Sequence, residues 1–224
     1  MIPNEIPADS LRLARVLTAT AAEGPGLRTA IWLQGCTIRC KGCFNPHMWA
    51  DSGGTTVPVG EWTERLLREA TAAGVDGITL LGGEPFEQAA PLARCAAAAR
   101  AHGLSIMTFT GYDYTDLCAW AQVRPDIAAL LAHTDLLADG PFRTELLDHH
   151  RPWVGSTNQG LRALTPRYRD LDFVTAPDRV EVRVGADGTV AVNGWSDMDA
   201  LDTLIADLGA RIDRPHARKI DPRD

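Results

Sequence analysis

The sequence predicts an α/β fold built on a parallel sheet, and three observations predict it. Short apolar runs end in glycine at Thr29–Gly35, Gly77–Gly82, Ser105–Gly111 and Asp135–Gly140. Stretches with helical spacing separate these runs. Strands that alternate with helices of this length imply right-handed βαβ units. The third observation is size: 224 residues with ordinary apolar content suffice for one substantial core. The expectation is a single domain over 1–224, with its core at about 11–170.

Taken in order, the turn-rich EGPG at Glu23 to Gly26 leads into a buried strand, TAIWLQG. A Gly/Thr/Pro loop from Ser52 to Gly60 precedes EWTERLLREATAAG. There Trp62, Leu66, Leu67 and Ala70 follow helical spacing and Gly74 is the stop. GITLLG is the second strand, and an Ala-rich helix follows from about Glu87 to His102. SIMTFTG is the third strand, helical segments cross Asp113 to His133, and DLLADG is the fourth. Past Arg169 the text alternates apolar and polar as RVEVRV, GADG and TVAVNGW, the pattern of a two-stranded hairpin. Ser196 with Asp199 then resembles a capping box opening the helix DALDTLIADLGAR, so a hairpin-helix extension is expected over about 179–211. The polar tail RPHARKIDPRD is expected to fray.

The formal charge of −7 is spread without an acidic or basic block, which offers nothing to nucleic acid or an anionic membrane. No apolar run approaches the roughly 20 residues a membrane span needs, and MIPNEIPADS lacks the pattern of a signal peptide. A cytoplasmic protein is expected.

Five cysteines is an odd number, and three of them, Cys36, Cys40 and Cys43, form CxxxCxxC within GCTIRCKGCFNP. A tight cluster in such a chain reads as metal or redox chemistry rather than a disulfide framework. Cys95 and Cys118 lie in helical text and read as inert packed thiols. The cluster sits just after the first strand, and parallel sheets gather ligands outside the carboxyl ends of their strands. Soft thiolates on one short loop suit an iron–sulfur cube. An electron-transfer cube takes four cysteines; three leave one iron open to a substrate or cofactor. Zinc competes, because His47 completes CxxxCxxCxxxH as a Cys₃His site. At the end of the second strand, LLGGEPF offers two glycines for close backbone approach and Glu84 as an acceptor for an amine. Alone, that stretch also reads as a Gly-Gly turn with a solvated glutamate.

Seven ordered matches between about Gly24 and Gln159 carry a family resemblance. They are GPGLRT, LQGC, CxxxCxxC followed by FNP and Trp49, LLGGEPF, FTGY, LADGPF and WVGSTNQ. On them the chain resembles the radical S-adenosylmethionine enzymes, and within these the activating proteins of glycyl radical enzymes, notably the activators of anaerobic ribonucleotide reductase. The superfamily commonly has an aromatic residue before its third cysteine. Here Gly42 stands there with Phe44 just after, as in the reductase activators.

The resemblance implies a partial (βα) barrel of the radical SAM type with a C-terminal β-hairpin and helix extension. It implies that Cys36, Cys40 and Cys43 bind three irons of a [4Fe-4S] cluster while S-adenosyl-L-methionine chelates the fourth through its amine and carboxylate. Gly82, Gly83 and Glu84 would hold that amine, with Phe44, Thr108, Thr110 and Asn158 as further cofactor contacts. Asp139 would either order the site or a bound cation, or cap the next helix. An external donor of the flavodoxin or ferredoxin type would supply one electron. The cofactor would cleave to methionine and a 5′-deoxyadenosyl radical, which would take a hydrogen atom from a glycine of a glycyl radical enzyme. No acid–base role falls to His47, His102, His133, His149 or His150. Trp49 and Trp153 either line the mouth of such a site or pack the core edge. Two other readings stay open: a stand-alone radical enzyme acting on a small metabolite, nucleotide or peptide, and a non-catalytic zinc or iron–sulfur module.

Overall fold

The structure, a computed structural model, describes residues 9–176, 179–186 and 190–194. The helix expected after Ser196, its capping pair with Asp199 and the C-terminal tail lie outside the described residues. So does part of the GADG turn.

Four parallel strands form the middle of the sheet: β2 (Arg28–Leu33), β4 (Gly77–Gly82), β5 (Ser105–Phe109) and β6 (Leu136–Asp139). The connections carry α1 (Val59–Ala73), α2 (Ala89–Ala101), α3 (Tyr114–Ala121) and α4 (Pro125–His133). All four strands and most helices fall where the hydrophobic pattern puts them. Gly74 ends α1 in the left-handed region at φ 65°, and its N–H bonds the carbonyls of Ala70 and Thr71. A side chain would be strained in that conformation.

The sheet is not wholly parallel. β1 (Ser10–Thr20) runs antiparallel beside β2, β3 (Thr55–Pro58) runs antiparallel beside β1, and β7 (Gly160–Ala163) runs antiparallel beside β6. The order is β3-β1-β2-β4-β5-β6-β7, a mixed α/β sheet with a parallel centre. The Gly/Thr/Pro loop of the sequence reading thus contains a strand, whose four residues are mostly exposed and give no apolar signal.

The helices pack on one face. Ile31, Leu33, Ile78, Leu80, Ile106 and Leu137 meet Trp62, Leu66, Leu92, Ile127 and Leu130 in one continuous core. Alternation along the strands turns Trp32, Leu81, Met107 and Phe109 to the other face, where smaller clusters form with Met48, Trp153 and Val154. Below, the fully buried Arg28 ties three strands together. It donates to the Thr79 hydroxyl at 2.7 Å, the Ile78 carbonyl at 2.7 Å and the Ser105 hydroxyl at 2.9 Å.

The expected hairpin is present as β8 (Val180–Val184) and β9 (Val190–Gly194), antiparallel. It is fastened to the end of β1. Glu181 accepts from the Thr20 hydroxyl at 2.8 Å and the Ala21 N–H at 2.7 Å, and Gly194 N–H donates to Glu23 at 2.9 Å. Among the described residues no helix is long and apolar enough to cross a membrane.

Candidate metal centre and cofactor cavity

The cysteine loop leaves β2 at its carboxyl end, and its two roots are stitched to neighbouring backbone. Gly35 N–H donates to the Met48 carbonyl at 2.8 Å and Cys36 N–H to the Trp49 carbonyl at 3.1 Å, closing the loop on itself. The turn after β4 provides the second support. Gly83 N–H donates to the Leu33 carbonyl and Glu84 N–H to the Gly35 carbonyl, both at 2.8 Å. This approach needs both glycines. A side chain on Gly83 would run into the Gly35 carbonyl, and one on Gly82, at φ 103°, would lie 2.7 Å from the Leu33 nitrogen.

These supports bring Cys36, Cys40 and Cys43 to one cavity of about 250 Å³ on the sheet face opposite α1 to α4. Gly82, Gly83, Glu84, Phe44 and Thr110 line it as well. Trp32, Leu81 and Phe109 rise from the sheet as its apolar floor, and Trp49 and Trp153 stand in its wall. Phe44 meets Phe142 edge to face, with centroids 5.6 Å apart. Gly194 of the hairpin closes one side together with Ala22 and Glu23.

Glu84 is a buried carboxyl group of this cavity. Its carboxylate is 1 % exposed and accepts from the Thr110 hydroxyl at 2.8 Å and from the N–H groups of Phe86 and Gly111 at 2.9 Å. Burial pushes its pKa up to about 8, against the downward pull of these donors. A cation placed in the cavity would relieve that cost. Burial likewise pushes the Cys36 thiol up to about 12 and raises that of Cys40. Such thiols give up their protons on binding a metal, not to water at neutral pH.

Not every residue singled out in the sequence reaches the cavity. Thr108 is fully buried on the helix-facing side, its hydroxyl paired with that of Thr134 at 2.9 Å, because strand alternation separates it from Phe109. Asn158 is exposed and donates to the Pro141 carbonyl at 2.8 Å. Its neighbour Gln159 lines the cavity instead, bridging the Gly155 N–H at 2.9 Å and the Gly140 carbonyl at 3.1 Å. Asp139 accepts from the Tyr114 N–H at the start of α3 at 3.0 Å and from Arg162 at 2.6 Å; α3 precedes it in the chain, so this is not the next helix that the sequence offered it to cap. His47 is exposed and outside the cavity wall. Among the described residues no three His, Cys, Asp or Glu side chains converge on a single-ion site. His47, which a Cys₃His zinc site would need as its fourth ligand, is not among the residues lining the cavity that the three cysteines share.

The sequence pointed to Trp153 in the far wall but not to Arg151, which holds the loop that carries it. Arg151 folds the 148–159 loop, bonding Asp148 at 2.6 Å and the Gln159 carbonyl at 2.8 Å. That loop carries Trp153 at φ 64°, a left-handed conformation uncommon for a bulky residue.

Residues 22–162 match a protein family described as a 4Fe-4S single cluster domain. The anaerobic ribonucleoside-triphosphate reductase-activating protein of Vibrio cholerae is 30% identical over 148 residues, 63% of this chain and 91% of that protein. Its namesake in Salmonella typhimurium is 30% identical over 142 residues, 61% of this chain and 88% of that protein. The one from Enterobacteria phage T4 is 28% identical over 152 residues, 66% of this chain and 90% of that protein. Among solved structures, QueE from Escherichia coli gives a partial likeness. Its TM-score is 0.35 at 21% identity, over 46% of this chain and 52% of that one.

Proposed function

The chain belongs to the 4Fe-4S single cluster domain family, alongside the anaerobic ribonucleoside-triphosphate reductase-activating proteins it resembles, and from that premise we propose that it is a radical S-adenosylmethionine activase. The observation that carries this reading is the convergence of three thiols and one buried carboxylate on a single cavity. Cys36, Cys40 and Cys43 would hold a [4Fe-4S] cluster by three irons, and Glu84 with the Gly82–Gly83 backbone would take the methionyl amine of S-adenosyl-L-methionine. When bound, the pair supplies reductive cleavage of the sulfonium to methionine and a 5′-deoxyadenosyl radical, using one electron from a flavodoxin- or ferredoxin-type donor.

The chain's own residues position and shield. Glu84 orients the amine by charge and is itself held by Thr110, Phe86 and Gly111, so little reorganisation remains at the moment of reaction. Trp32, Leu81 and Phe109 keep the floor apolar and water scarce. Helices on one face of the sheet and the cavity on the other support the partial (βα) barrel reading. The target would be a glycine Cα–H of an anaerobic ribonucleotide reductase, whose hydrogen atom would pass to the 5′-deoxyadenosyl radical, giving 5′-deoxyadenosine and leaving the radical on the glycine. A second reading, a small-molecule target, is favoured by the β8–β9 hairpin. It lies beyond the family match and narrows the cavity at Gly194.

Anaerobic reconstitution with iron and sulfide, followed by reduction with S-adenosylmethionine, tests the chemistry through release of methionine and 5′-deoxyadenosine. Electron paramagnetic resonance after mixing with an anaerobic ribonucleotide reductase tests the target. A cluster that never cleaves the cofactor sinks the enzyme; cleavage without a glycyl radical moves the target to a small molecule.

A further inference from the structure

The turn after β4 does more than present Glu84, because its next two polar side chains grip the cysteine loop. One carboxylate oxygen of Glu87 accepts from the Thr37 N–H at 2.9 Å, the Thr37 hydroxyl at 2.5 Å and the Tyr112 hydroxyl at 3.1 Å. Thr37 directly follows Cys36. Gln88, 2 % exposed, accepts from the Arg12 N–H at 2.8 Å and donates to the Gln34 carbonyl at 3.0 Å, two residues before Cys36. Consecutive side chains of one turn therefore clamp the chain on both sides of Cys36.

The two clamps differ in chemistry. Gln88 is neutral and buried, and its bonds secure β1 and the root of the loop. Glu87 brings a charge. Its three bonds are of the charge-assisted kind, stronger than neutral ones, and they join the cysteine loop, the turn after β4 and the turn after β5. No amphipathic pattern calls for a glutamate there, and a solvated surface carboxylate would not have three protein donors on one oxygen.

We infer that Glu87 is a positioning residue for the metal centre, fixing the Cys36 end of the loop through Thr37 and setting a carboxylate beside it. The inference rests on the cluster reading above. Hydrogen-bond partners of ligand-bearing segments govern metal retention, and a nearby negative charge makes adding an electron harder. Glu87 thereby holds the cluster and lowers its reduction potential.

Two substitutions separate these effects in the reconstituted protein. Glu87→Ala removes the acceptor and should speed iron loss to a chelator about ten- to hundredfold. Glu87→Gln keeps an acceptor oxygen for Thr37 but removes the charge. It should retain iron within a few-fold of the unaltered protein and titrate at a higher midpoint potential. A Glu87→Ala protein that melts cooperatively yet keeps iron as long as the unaltered protein would overturn the inference. So would an unchanged midpoint potential in Glu87→Gln, which decides the matter even if Glu87→Ala fails to fold. Failure of the unaltered protein to take up iron and sulfide would overturn the cluster reading and this inference together, a result distinct from a cluster indifferent to Glu87.

Discussion

The Thr110 hydroxyl donates to the Glu84 carboxylate at 2.8 Å, joining the end of β5 to the turn after β4 inside the cavity. Thr108, two residues earlier and still inside β5, bonds Thr134 instead. Thr110→Val should therefore loosen Glu84 and weaken S-adenosylmethionine binding by about tenfold, the cost of one hydrogen bond to a charged group. Thr108→Val should leave that binding unchanged and cost about 1 kcal/mol of stability for a neutral bond. Equilibrium binding and denaturant melts of both variants check this. Equal binding losses would erase the distinction between a threonine that lines the cavity and one that does not.

Glu84 gives a pH dependence with a definite sign. Its pKa in the folded protein is about 8, above its ordinary 4.5, so the ligand-free fold holds the proton more tightly than the unfolded chain does. The stability it contributes is complete below 4.5 and is lost as pH rises through about 8. Thermal melts of the ligand-free protein should fall across that window, and Glu84→Gln should flatten the fall. The same variant should bind S-adenosylmethionine about ten- to hundredfold more weakly. A variant with the unaltered pH profile and affinity would remove Glu84 from the cofactor site.

Four of the five cysteines divide sharply. Cys36→Ala, Cys40→Ala and Cys43→Ala should each abolish stable iron and sulfide uptake, since each thiol lines the cavity. Cys95 is 1 % exposed within the helix-side core, so Cys95→Ala should keep the cluster and cost about 1 kcal/mol from lost packing. Iron and sulfide analysis with visible absorbance separates the two groups. Full cluster content in Cys40→Ala would contradict the assignment.

The hairpin should respond to acid. Burial alone would raise the pKa of Glu181, but the Ala21 N–H, Arg183, Thr20 and Asn193 together hold it down to about 2. The docking it supports is present above its ordinary 4.5 and is lost as pH falls through about 2. Glu181→Ala should reproduce that loss at neutral pH. Amide exchange should rise in 180–184 while the strands of the parallel centre stay protected. Unchanged exchange would mean that other contacts hold the hairpin.

The parallel centre of the sheet was legible because β2, β4, β5 and β6 are apolar on both faces and stop at glycine. β1 was not, because its pairing with β2 slips at Leu13/Arg15 and at Leu17/Thr20, and these irregularities break the period-two pattern a strand would show. β7 is only four residues long and partly exposed, too short for its pattern to separate it from a loop.

At the site, the sequence alone determined the donor chemistry. Three cysteines on one short loop and a Gly-Gly-Glu turn after a strand constrain ligand type and backbone approach locally, so spacing suffices to find them. Which of Thr108 and Thr110 faces the cavity, that Gln159 rather than Asn158 lines it, and that Glu87 grips Thr37 were decided only by the tertiary structure. Each depends on strand register and on contacts between segments about 20 to 50 residues apart, which no local pattern encodes.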